Sequence, residues 1–265
     1  MDDPERVPPE RVPPERAPRE RLAAELAAST RFGGLRWLDE TDSTNRVALD
    51  AARAGAAEGL VVVADHQSAG RGRLGRRWEA PAGTALLASV LLRPSGLAPD
   101  RLHLVTSAVG LSAVAACRRL GGFTPGLKWP NDLLVGDAKL AGILAEVLGD
   151  AVVVGLGLNV SAAPAGAISF EEAARRPVGR AELLVAVLRE LDGRYGRWDD
   201  VAGEYAATCA TVGRRVAVED ASGVRRGTAV GVDPGGRLLV AFGDRPPEAL
   251  SAADVVHLRD VPPAP

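Results

Sequence analysis

The sequence KWPND at residues 128–132 is the most informative stretch of this chain. It follows a basic, glycine-rich segment, GRGRLGRRW at residues 70–78. Three further segments extend the pattern: TDSTN at 41–45, KLAGIL at 139–144 and GLGLNV at 155–160. The five segments in this order are far more specific than any one of them, so the interpretation of the chain starts from their combination.

Composition sets the outer bounds. The chain has 265 residues, 46% of them hydrophobic, which is enough for one large domain and a small one. The net charge of -2 gives no strong overall attraction to nucleic acid or an anionic membrane, so electrostatic recognition must come from local clusters. Cys117 and Cys209 show no CxxC spacing and are interpreted as small core residues. We find no apolar run of the ~20 residues that span a bilayer and no signal-peptide core, and therefore expect a cytoplasmic protein without a membrane partner.

The N-terminal segment repeats Pro-Glu-Arg with a period of five at residues 4–18. Proline removes backbone donors and the repeat has little apolar surface to bury, so an extended or disordered tail is expected. A docking role is the alternative, although nothing in the repeat names a partner. Residues 19–28 then predict a short helix with Leu22 and Leu26 on one face. Tail and helix together account for residues 1–30.

From about residue 35 onward, apolar strand-like runs alternate with helical stretches. A turn at Gly149-Asp150 joins the last two of these strands. The long helical stretch after residue 180 carries an apolar stripe, which predicts a core-facing side. The predicted strands are 60–64, 84–92, 139–148 and 151–159, the predicted helices are 102–120 and 180–205, and the stripe consists of Leu183, Leu184, Val187, Leu188 and Leu191.

The last part of the chain has a different texture. After Gly213, short alternating runs at 216–218, 227–232 and 237–242 are separated by glycine and proline turns. Such spacing is typical of a small β-barrel of the SH3-like kind. The sequence therefore predicts a larger domain followed by a small all-β one.

The basic loop at residues 70–77 places four arginines among three glycines. Glycines let the backbone approach a ligand closely, and like charges oppose an ordered empty loop. A lid that orders over a phosphorylated species fits these properties. A solvated basic turn and a nucleic-acid contact are the alternatives, and the loop lacks the Gly-Lys-Ser/Thr ending of a P-loop. The residues are Gly70, Arg71, Gly72, Arg73, Gly75, Arg76 and Arg77.

Lys128 stands two residues before a proline in an apolar neighbourhood, which predicts a strand end with the ammonium directed inward. A fixed cation stabilises the charge that develops when a carboxylate attacks an α-phosphate, whereas a snorkelling surface lysine is the plain alternative. Trp129 is interpreted as packing. Asn131 is expected to contact a nucleotide, and Asp132 either does so, helps to hold its metal, or belongs to an ordinary turn.

Ser43, Thr44 and Asn45 precede a predicted helix at 47–54, so the plain account is an N-cap. The same short hydroxyl and amide groups suit a neutral polar head group that needs both donors and acceptors. Gln67 is a second group of this kind. His66 has no nucleophile to pair with and is expected to be a packing or surface residue rather than a base.

These five segments resemble the biotin protein ligases, from about residue 35 to the C-terminus. The resemblance implies an α+β fold with a mixed-sheet, biotin/lipoate ligase-like catalytic domain at 31–211 and an SH3-like β-barrel at 212–260. It also implies a reaction in which ATP and biotin give biotinyl-5'-adenylate, and the biotin then passes to one lysine of a biotin carboxyl carrier protein domain of an acyl-CoA carboxylase. No covalent enzyme intermediate is needed.

The resemblance also implies roles for individual residues. Lys128 and Arg73 would be catalytic, Lys128 through the displacement at phosphorus and Arg73 by clamping the adenylate. Mg²⁺ would be held through the ATP phosphates, with Asp132 as its candidate protein ligand and no dedicated metal site. Biotin would contact Ser43, Thr44, Asn45, Gln67, Gly70, Arg71, Gly72, Arg73, Lys128 and Gly142. ATP would contact Arg73, Arg76, Trp78, Asn131, Lys139 and Asn159.

Two other classes compete with this interpretation. Lipoate ligases and octanoyltransferases share the fold and a Lys-x-x-Gly-x-x feature, which residues 139–144 satisfy, but the KWPND segment argues against them. A ligand-responsive binding module or repressor is the second. Family members that repress transcription carry a DNA-binding domain before the ligase core, and the ~60 residues for one are lacking here, so no DNA partner is expected.

Overall fold

The computed structural model of this chain describes residues 16–220, 223–251 and 254–257. The Pro-Glu-Arg repeat up to residue 15 and the predicted domain end at 258–260 lie outside these ranges. The helices are α1 Arg16–Ser29, α2 Thr44–Arg53, α3 His103–Gly121, α4 Phe170–Ala174, α5 Arg180–Arg194 and α6 Trp198–Thr208. The strands are β1 Gly34–Thr41, β2 Leu60–Gln67, β3 Ala85–Leu92, β4 Gly126–Lys128, β5 Asp132–Val135, β6 Ala138–Leu148, β7 Ala151–Asn159, β8 Arg215–Asp220, β9 Gly223–Val232, β10 Leu238–Ala241, β11 Glu248–Leu250 and β12 Asp254–His257.

The larger sheet has seven strands in the order β1-β2-β3-β7-β6-β5-β4. Strands β1 and β2 are parallel, and all other neighbours are antiparallel, so the predicted mixed sheet is confirmed. Its middle strands are buried on both faces; all eight residues of β3 are buried. Strands that are covered on both faces consist of continuous apolar runs, and for this reason the sequence predicted β2 and β3.

The two faces of this sheet are covered differently. One face packs on α3 and α5 through the alternate residues Val152, Val154 and Leu156 of β7, and belongs to the main core. The opposite face packs on α2, where Val62, Leu91 and Val153 join a separate apolar cluster. Helix α2 covers only part of that face. The rest of it forms the floor of the site described below.

The C-terminal sheet has five antiparallel strands in the order β11-β10-β9-β8-β12. This arrangement is consistent with the predicted SH3-like fold. Within the described residues β11 and β12 each pair with one neighbour only, so the sheet is open rather than a closed barrel. Its inward side chains, including Val216, Val218 and Leu238, belong to the same core cluster as the larger sheet.

The structure departs from the sequence prediction in three places. The single helix predicted over 180–205 is two helices, because the chain breaks at Tyr195 and at Gly196, whose φ of 91° lies in the left-handed region. Strand β1 was not predicted. Strand β5 was not predicted either: it begins at Asp132, for which an ordinary turn was one alternative, and Asp132 pairs with Lys128 of β4. The predicted apolar stripe of α5 is buried, as expected.

Helix α3 is more apolar than the sequence analysis recognised. By length and composition, the segment Pro99–Gly121 could cross a membrane, although no apolar run of this length was predicted. In the structure 67% of its apolar window is buried inside the protein. The small residue Gly110 lets Leu127 and Ile143 of the sheet approach the helix, so α3 has the packing of a central core helix.

Candidate active site

One cavity collects most of the predicted site residues on the sheet face that α2 leaves uncovered. The loop between β2 and β3, the segment after β4, and strands β6 and β7 surround it. It brings together residues separated by more than a hundred positions in sequence. The predicted residues that line it are Ser43, Thr44, Asn45, Gln67, Arg71, Gly72, Arg73, Arg76, Trp78, Lys128, Asn131, Asp132, Lys139 and Gly142.

The polar end of the cavity lies at the start of α2. Ser43 occupies the N-cap position, but its side chain makes no cap hydrogen bond, so the predicted capping role is wrong. Gln67 satisfies the helix start instead, because its Oε1 accepts from the backbone N–H of Thr44 at 2.7 Å and from its hydroxyl at 3.0 Å. Ser43 and Thr44 are both buried, and Gln67 is partly so. Gln67 is thereby fixed by the backbone it caps.

Asn45 connects this end to the strands. Its Nδ2 donates to the backbone oxygen of Leu144 at 3.1 Å and to Glu146 Oε2 at 2.8 Å. The hydroxyl of Ser89 lies 2.6 Å from Asn45 Oδ1. Arg71 donates to the same Glu146 oxygen at 3.2 Å. Glu146 therefore ties the first arginine of the basic loop to the start of α2.

Glycines on the strands allow these side chains to lie flat on the sheet. A Cβ on Gly155 would lie 2.3 Å from Asn45 Oδ1, and one on Gly157 would lie 2.6 Å from the ring of Trp78. Gly142 is paired with Gly157 across β6 and β7, and also faces Trp78. Such close approaches are possible only at glycine. The side chains of Asn45 and Trp78 thus pack on Gly142, Gly155 and Gly157, which together form the glycine floor of the cavity.

The cationic end holds two lysines with different environments. Lys139 Nζ lies 2.7 Å from Asp132 Oδ1 and 5.7 Å from the centre of the Trp78 ring. Lys128 ends β4, as predicted, and is half-buried. Among the residues that the structure describes, Lys128 makes no side-chain hydrogen bond or ion pair. Its charge is therefore available to an anion in the cavity.

The basic loop is a small hairpin rather than an irregular segment. Gly72 N–H donates to Arg76 O at 2.7 Å, and Trp78 N–H donates to Gly70 O at 3.0 Å. At its tip Leu74 has a left-handed φ of 56° and is 69% exposed, an unusual combination for an apolar residue. Arg73 reaches back across the cavity, with its guanidinium 3.5 Å from Asn131 Oδ1.

Two predicted residues lie outside the cavity lining. Gly70 is buried at the base of the hairpin, where a Cβ would lie 2.4 Å from Trp78 O, so its part is to close the hairpin. Asn159 is buried, and its amide donates to the backbone oxygens of Lys139 at 3.3 Å and Ile168 at 3.2 Å. It lines a neighbouring hollow instead. The structure thus gives Asn159 a structural task, which its predicted contact with ATP did not anticipate.

Sequence reasoning missed several residues of the site. Leu87 and Leu144 provide apolar wall on the same side as the glycine floor, a wall that the sequence could not assign. The glycines of the floor had a signal, since Gly155 and Gly157 are two residues apart in a strand and so share a face. Glu146 and Ser89 had none, because their roles depend on contacts across three strands.

His66 and Cys117, which the sequence also brought into consideration, lie outside the cavity lining. The described residues contain no group of three or more His, Cys, Asp or Glu side chains that could hold a metal ion. His66 Nδ1 is buried without a hydrogen-bond partner, and no nucleophile pairs with it. Burial raises the pKa of Cys117 to about 12, so this thiol stays protonated.

Both the larger and the C-terminal part of the chain match known protein families. Residues 37–159 match the Biotin/lipoate A/B protein ligase family, and residues 211–258 match the Biotin protein ligase C terminal domain. The biotin–[acetyl-CoA-carboxylase] ligase of Mycobacterium tuberculosis is 39% identical over 85% of this chain and 91% of that protein. That of Paracoccus denitrificans is 34% identical over 82% and 98%. A biotin protein ligase from Aquifex aeolicus in complex with biotin and ATP superposes with a TM-score of 0.76 at 27% identity, covering 86% of this chain and 100% of that one.

Proposed function

This chain belongs to the biotin protein ligase family, and from that premise we propose how its residues carry out the reaction. The protein is an enzyme that attaches biotin to protein, with biotin and ATP as substrates. The biotin carboxylate attacks the α-phosphate of ATP, pyrophosphate leaves, and biotinyl-5'-adenylate remains bound. A lysine amine of the acceptor then attacks the activated carbonyl, and AMP leaves.

Biotin binds with its ureido ring at the start of α2. A ureido group has two N–H donors and one carbonyl acceptor, and this end of the cavity offers hydroxyl, amide and backbone groups of both kinds. Ser43, Thr44 and Asn45 are held by the helix start, and Gln67 by its bonds to Thr44. Leu87 and Leu144 flank the apolar chain of the substrate. The carboxylate is thereby directed toward Lys128 and Arg73.

The half-buried, unpaired ammonium of Lys128 is the observation that carries this proposal. A cation at the wall of a partly enclosed cavity attracts an anion, and no described carboxylate is paired with this one. The biotin carboxylate is that anion in the ground state, and the α-phosphate shares the charge during displacement. Preorganised cations at a transferring phosphoryl group are the main source of catalysis in such reactions.

ATP binds beside the basic loop. Trp78 provides an aromatic surface, Asn131 a carboxamide, and Lys139 and Arg76 positive charge. Arg73, already directed toward Asn131, clamps the adenylate, and the hairpin at 70–78 closes over it to exclude water. Gly70 acts at the base of this hairpin. Asn159 supports the site from its position behind Lys139.

The residues present fit a Mg²⁺ ion that is carried mainly by the nucleotide. When bound, the ion neutralises phosphate charge. Asp132 is the one acidic residue among the described residues that line the cavity, and its Oδ1 is buried beside the ammonium of Lys139. Asp132 would hold the ion together with phosphate oxygens, whereas Lys139 would then turn toward the phosphates.

The acceptor is the biotin carboxyl carrier domain of an acyl-CoA carboxylase. Its lysine must reach the activated carbonyl through the open side of the cavity. Positioning this amine and removing its water is the enzyme's part in the second step. A cytoplasmic location, where such carboxylases act, remains a prediction.

Intact-mass measurement of a carrier domain tests the proposal. The domain is incubated with this protein, Mg-ATP and one of biotin, lipoate or octanoate. We expect one biotin adduct that requires ATP, and no adduct on a carrier whose acceptor lysine is replaced by arginine. A lipoyl or octanoyl adduct in place of biotin would overturn the substrate, and no adduct with any acid would overturn the enzyme assignment.

A further inference from the structure

The C-terminal domain holds the strand that ends in the catalytic lysine. We propose that Thr211 and Trp129 are positioning residues that fix Lys128 for adenylate formation from the C-terminal side. The inference rests on the proposed function, because it concerns the residue to which that function assigns the displacement. Neither Thr211 nor Trp129 is assigned a part in the chemistry itself.

Strand β4 is the edge of the larger sheet, and the short segment at the boundary with the C-terminal domain completes its hydrogen bonding. Ala210 N–H donates to Leu127 O at 2.8 Å, and Trp129 N–H donates to Thr211 Oγ1 at 2.9 Å. These two bonds hold the residues immediately before and after Lys128. Thr211 is fully buried. A threonine hydroxyl thus replaces the backbone acceptor that a neighbouring strand would supply.

The indole of Trp129 makes a second bond to the C-terminal domain. Its Nε1 donates to Gly236 O at 3.0 Å, and the side chain is 3% exposed. Gly236 lies in the turn between β9 and β10, which is closed by Gly236 N–H donating to Asp233 O at 2.7 Å. Gly236 has a φ of 78°, and a Cβ there would lie 2.3 Å from His103 Nε2. The turn therefore packs between α3 and the indole, and a side chain at position 236 would clash with His103.

The same hydroxyl also connects to the last described strand. Thr211 Oγ1 lies 3.0 Å from His257 Nε2 on β12. The hydroxyl accepts from Trp129 N–H and shares a second hydrogen bond with the His257 ring, whose tautomer decides which of the two groups donates. Val255, two residues earlier on β12, lines the catalytic cavity. The buried hydroxyl of Thr211, in the segment before β8, therefore links β4 to β12.

The far side of the segment is fixed independently. Asn131 Nδ2 donates to Ile143 O at 2.8 Å, and Ile143 N–H donates to Asn131 O at 2.9 Å. Lys128 has no side-chain bond of its own to a described residue, so its position depends on its neighbours. Losing the Thr211 hydroxyl removes the bond to the backbone N–H of the residue after Lys128, so that residue is then held only through its indole and through Asn131. Because a displacement of about 1 Å can cost a hundredfold in rate, release of this anchor should appear in the chemical step.

The test compares Thr211→Val with Thr211→Ser, in the full chain and below the unfolding temperature of every variant. Valine keeps the shape of threonine but cannot accept from Trp129 N–H, whereas serine keeps the hydroxyl. We expect the single-turnover rate of biotinyl-adenylate formation at saturating biotin and ATP to fall at least about tenfold in Thr211→Val. Thr211→Ser should stay within about threefold of the unmodified protein. Binding at the ureido end, followed with biotinamide, which lacks the carboxylate, should be unchanged in both.

A second pair of variants keeps the test decisive if Thr211→Val does not fold. Trp129→Phe removes the indole N–H, and Trp198→Phe is its control, since Trp198 is a buried tryptophan on α6 that contacts Tyr195 instead of the site. Slow adenylation in Trp129→Phe alone supports the inference. Adenylation at the unmodified rate in Thr211→Val and Trp129→Phe, or equal slowing in both tryptophan variants, overturns it. Absence of biotinyl-adenylate from the unmodified protein would instead contradict the proposed function.

Discussion

Two lysines at the cationic end of the cavity show how neighbours decide what a residue does. Lys139 is paired with Asp132 and lies over Trp78, so its charge is partly satisfied within the protein. Lys128 has no such partner among the described residues. Both were singled out in the sequence, but only the structure separates the paired cation from the one that needs a substrate anion. The residue-scale predictions follow from this difference and from the glycine floor.

Replacing Lys128 by alanine should abolish adenylate formation. We expect at least about a hundredfold loss in single-turnover rate, because a preorganised charge at the reacting phosphorus is removed. The melting temperature should stay close to that of the unmodified protein, since the Lys128 side chain makes no bond that the described fold needs. Pyrophosphate release and thermal unfolding measure the two effects. An active Lys128→Ala protein would remove this residue from the mechanism.

The glycine floor predicts two variants, one that mainly weakens biotin binding and one that mainly weakens ATP binding. Gly155→Ala must displace Asn45, and should weaken biotin binding about tenfold or more while affecting ATP less. Gly157→Ala must displace Trp78, and should raise the KM for ATP with the smaller effect on biotin. Each variant serves as the control for the other. Identical losses of both substrates in the two variants would argue against separate binding ends.

At the scale of elements, the hairpin at 70–78 concentrates four arginines beside the cavity. Its arginines 71 and 77 face each other across the hairpin, and the tip residue Leu74 is exposed. Arg71 is paired with Glu146 and Arg77 with Glu79, so part of this charge is compensated within the protein. By contrast, helix α2 packs on the sheet, and β6 and β7 are inner strands of it. We propose that this hairpin is the part of the site that moves, and that the elements carrying it stay fixed.

Limited proteolysis by trypsin should report the closing of this hairpin. Without ligand we expect cleavage after the loop arginines, and with biotin and Mg-ATP together we expect protection, because the adenylate neutralises and orders the loop. Biotin alone should protect partially. Mass spectrometry of the fragments identifies the cleaved bonds, with cleavage elsewhere in the chain as the internal reference. The same cleavage at residues 70–78 in all states would contradict a lid.

At the scale of the whole molecule, the two domains share one core and meet at two histidines. His257 on β12 lies near Lys128, and His103 at the start of α3 faces the turn that holds Trp129. Burial lowers the pKa of His257 to about 4, and the charge of Lys128 adds to the effect. Burial also lowers the pKa of His103, with Arg237 and Arg101 acting in the same direction against Asp233 and Asp100. The contact between the domains is therefore built around neutral histidines.

Acid should weaken this contact before it affects the rest of the fold. A histidine whose pKa is depressed in the folded state contributes stability above its unfolded pKa of about 6.5, and that stability is lost as the pH falls toward 4. We expect the melting temperature to decrease between pH 7 and pH 5, and to decrease less in His257→Gln, whose side chain stays neutral. Calorimetry at fixed ionic strength measures both. A melting temperature equally pH-dependent in the variant would contradict the role of His257.

The sequence alone determined the elements whose patterns are local. The apolar runs of β2, β3, β6 and β7 predicted the centre of the sheet, because strands buried on both faces need apolar residues throughout. The stripe on α5 predicted its buried side, since that pattern requires only the helical repeat. The five segments also indicated the family and most residues of the cavity, because close approach to a charged ligand requires glycine and arginine at fixed positions along the chain.

Only the tertiary structure decided which of those residues carry which task. Gln67 rather than Ser43 accepts the hydrogen bonds at the start of α2. Asn159 donates to backbone oxygens and does not line the cavity. The break at Gly196 depends on how α5 and α6 pack on α3. The apolar wall at Leu87 and Leu144, and the anchors of Trp129 in the C-terminal domain, join residues far apart in sequence. Hydrogen bonds and close contacts of this kind depend on positions in space to within a fraction of an ångström, which no local pattern of residues encodes.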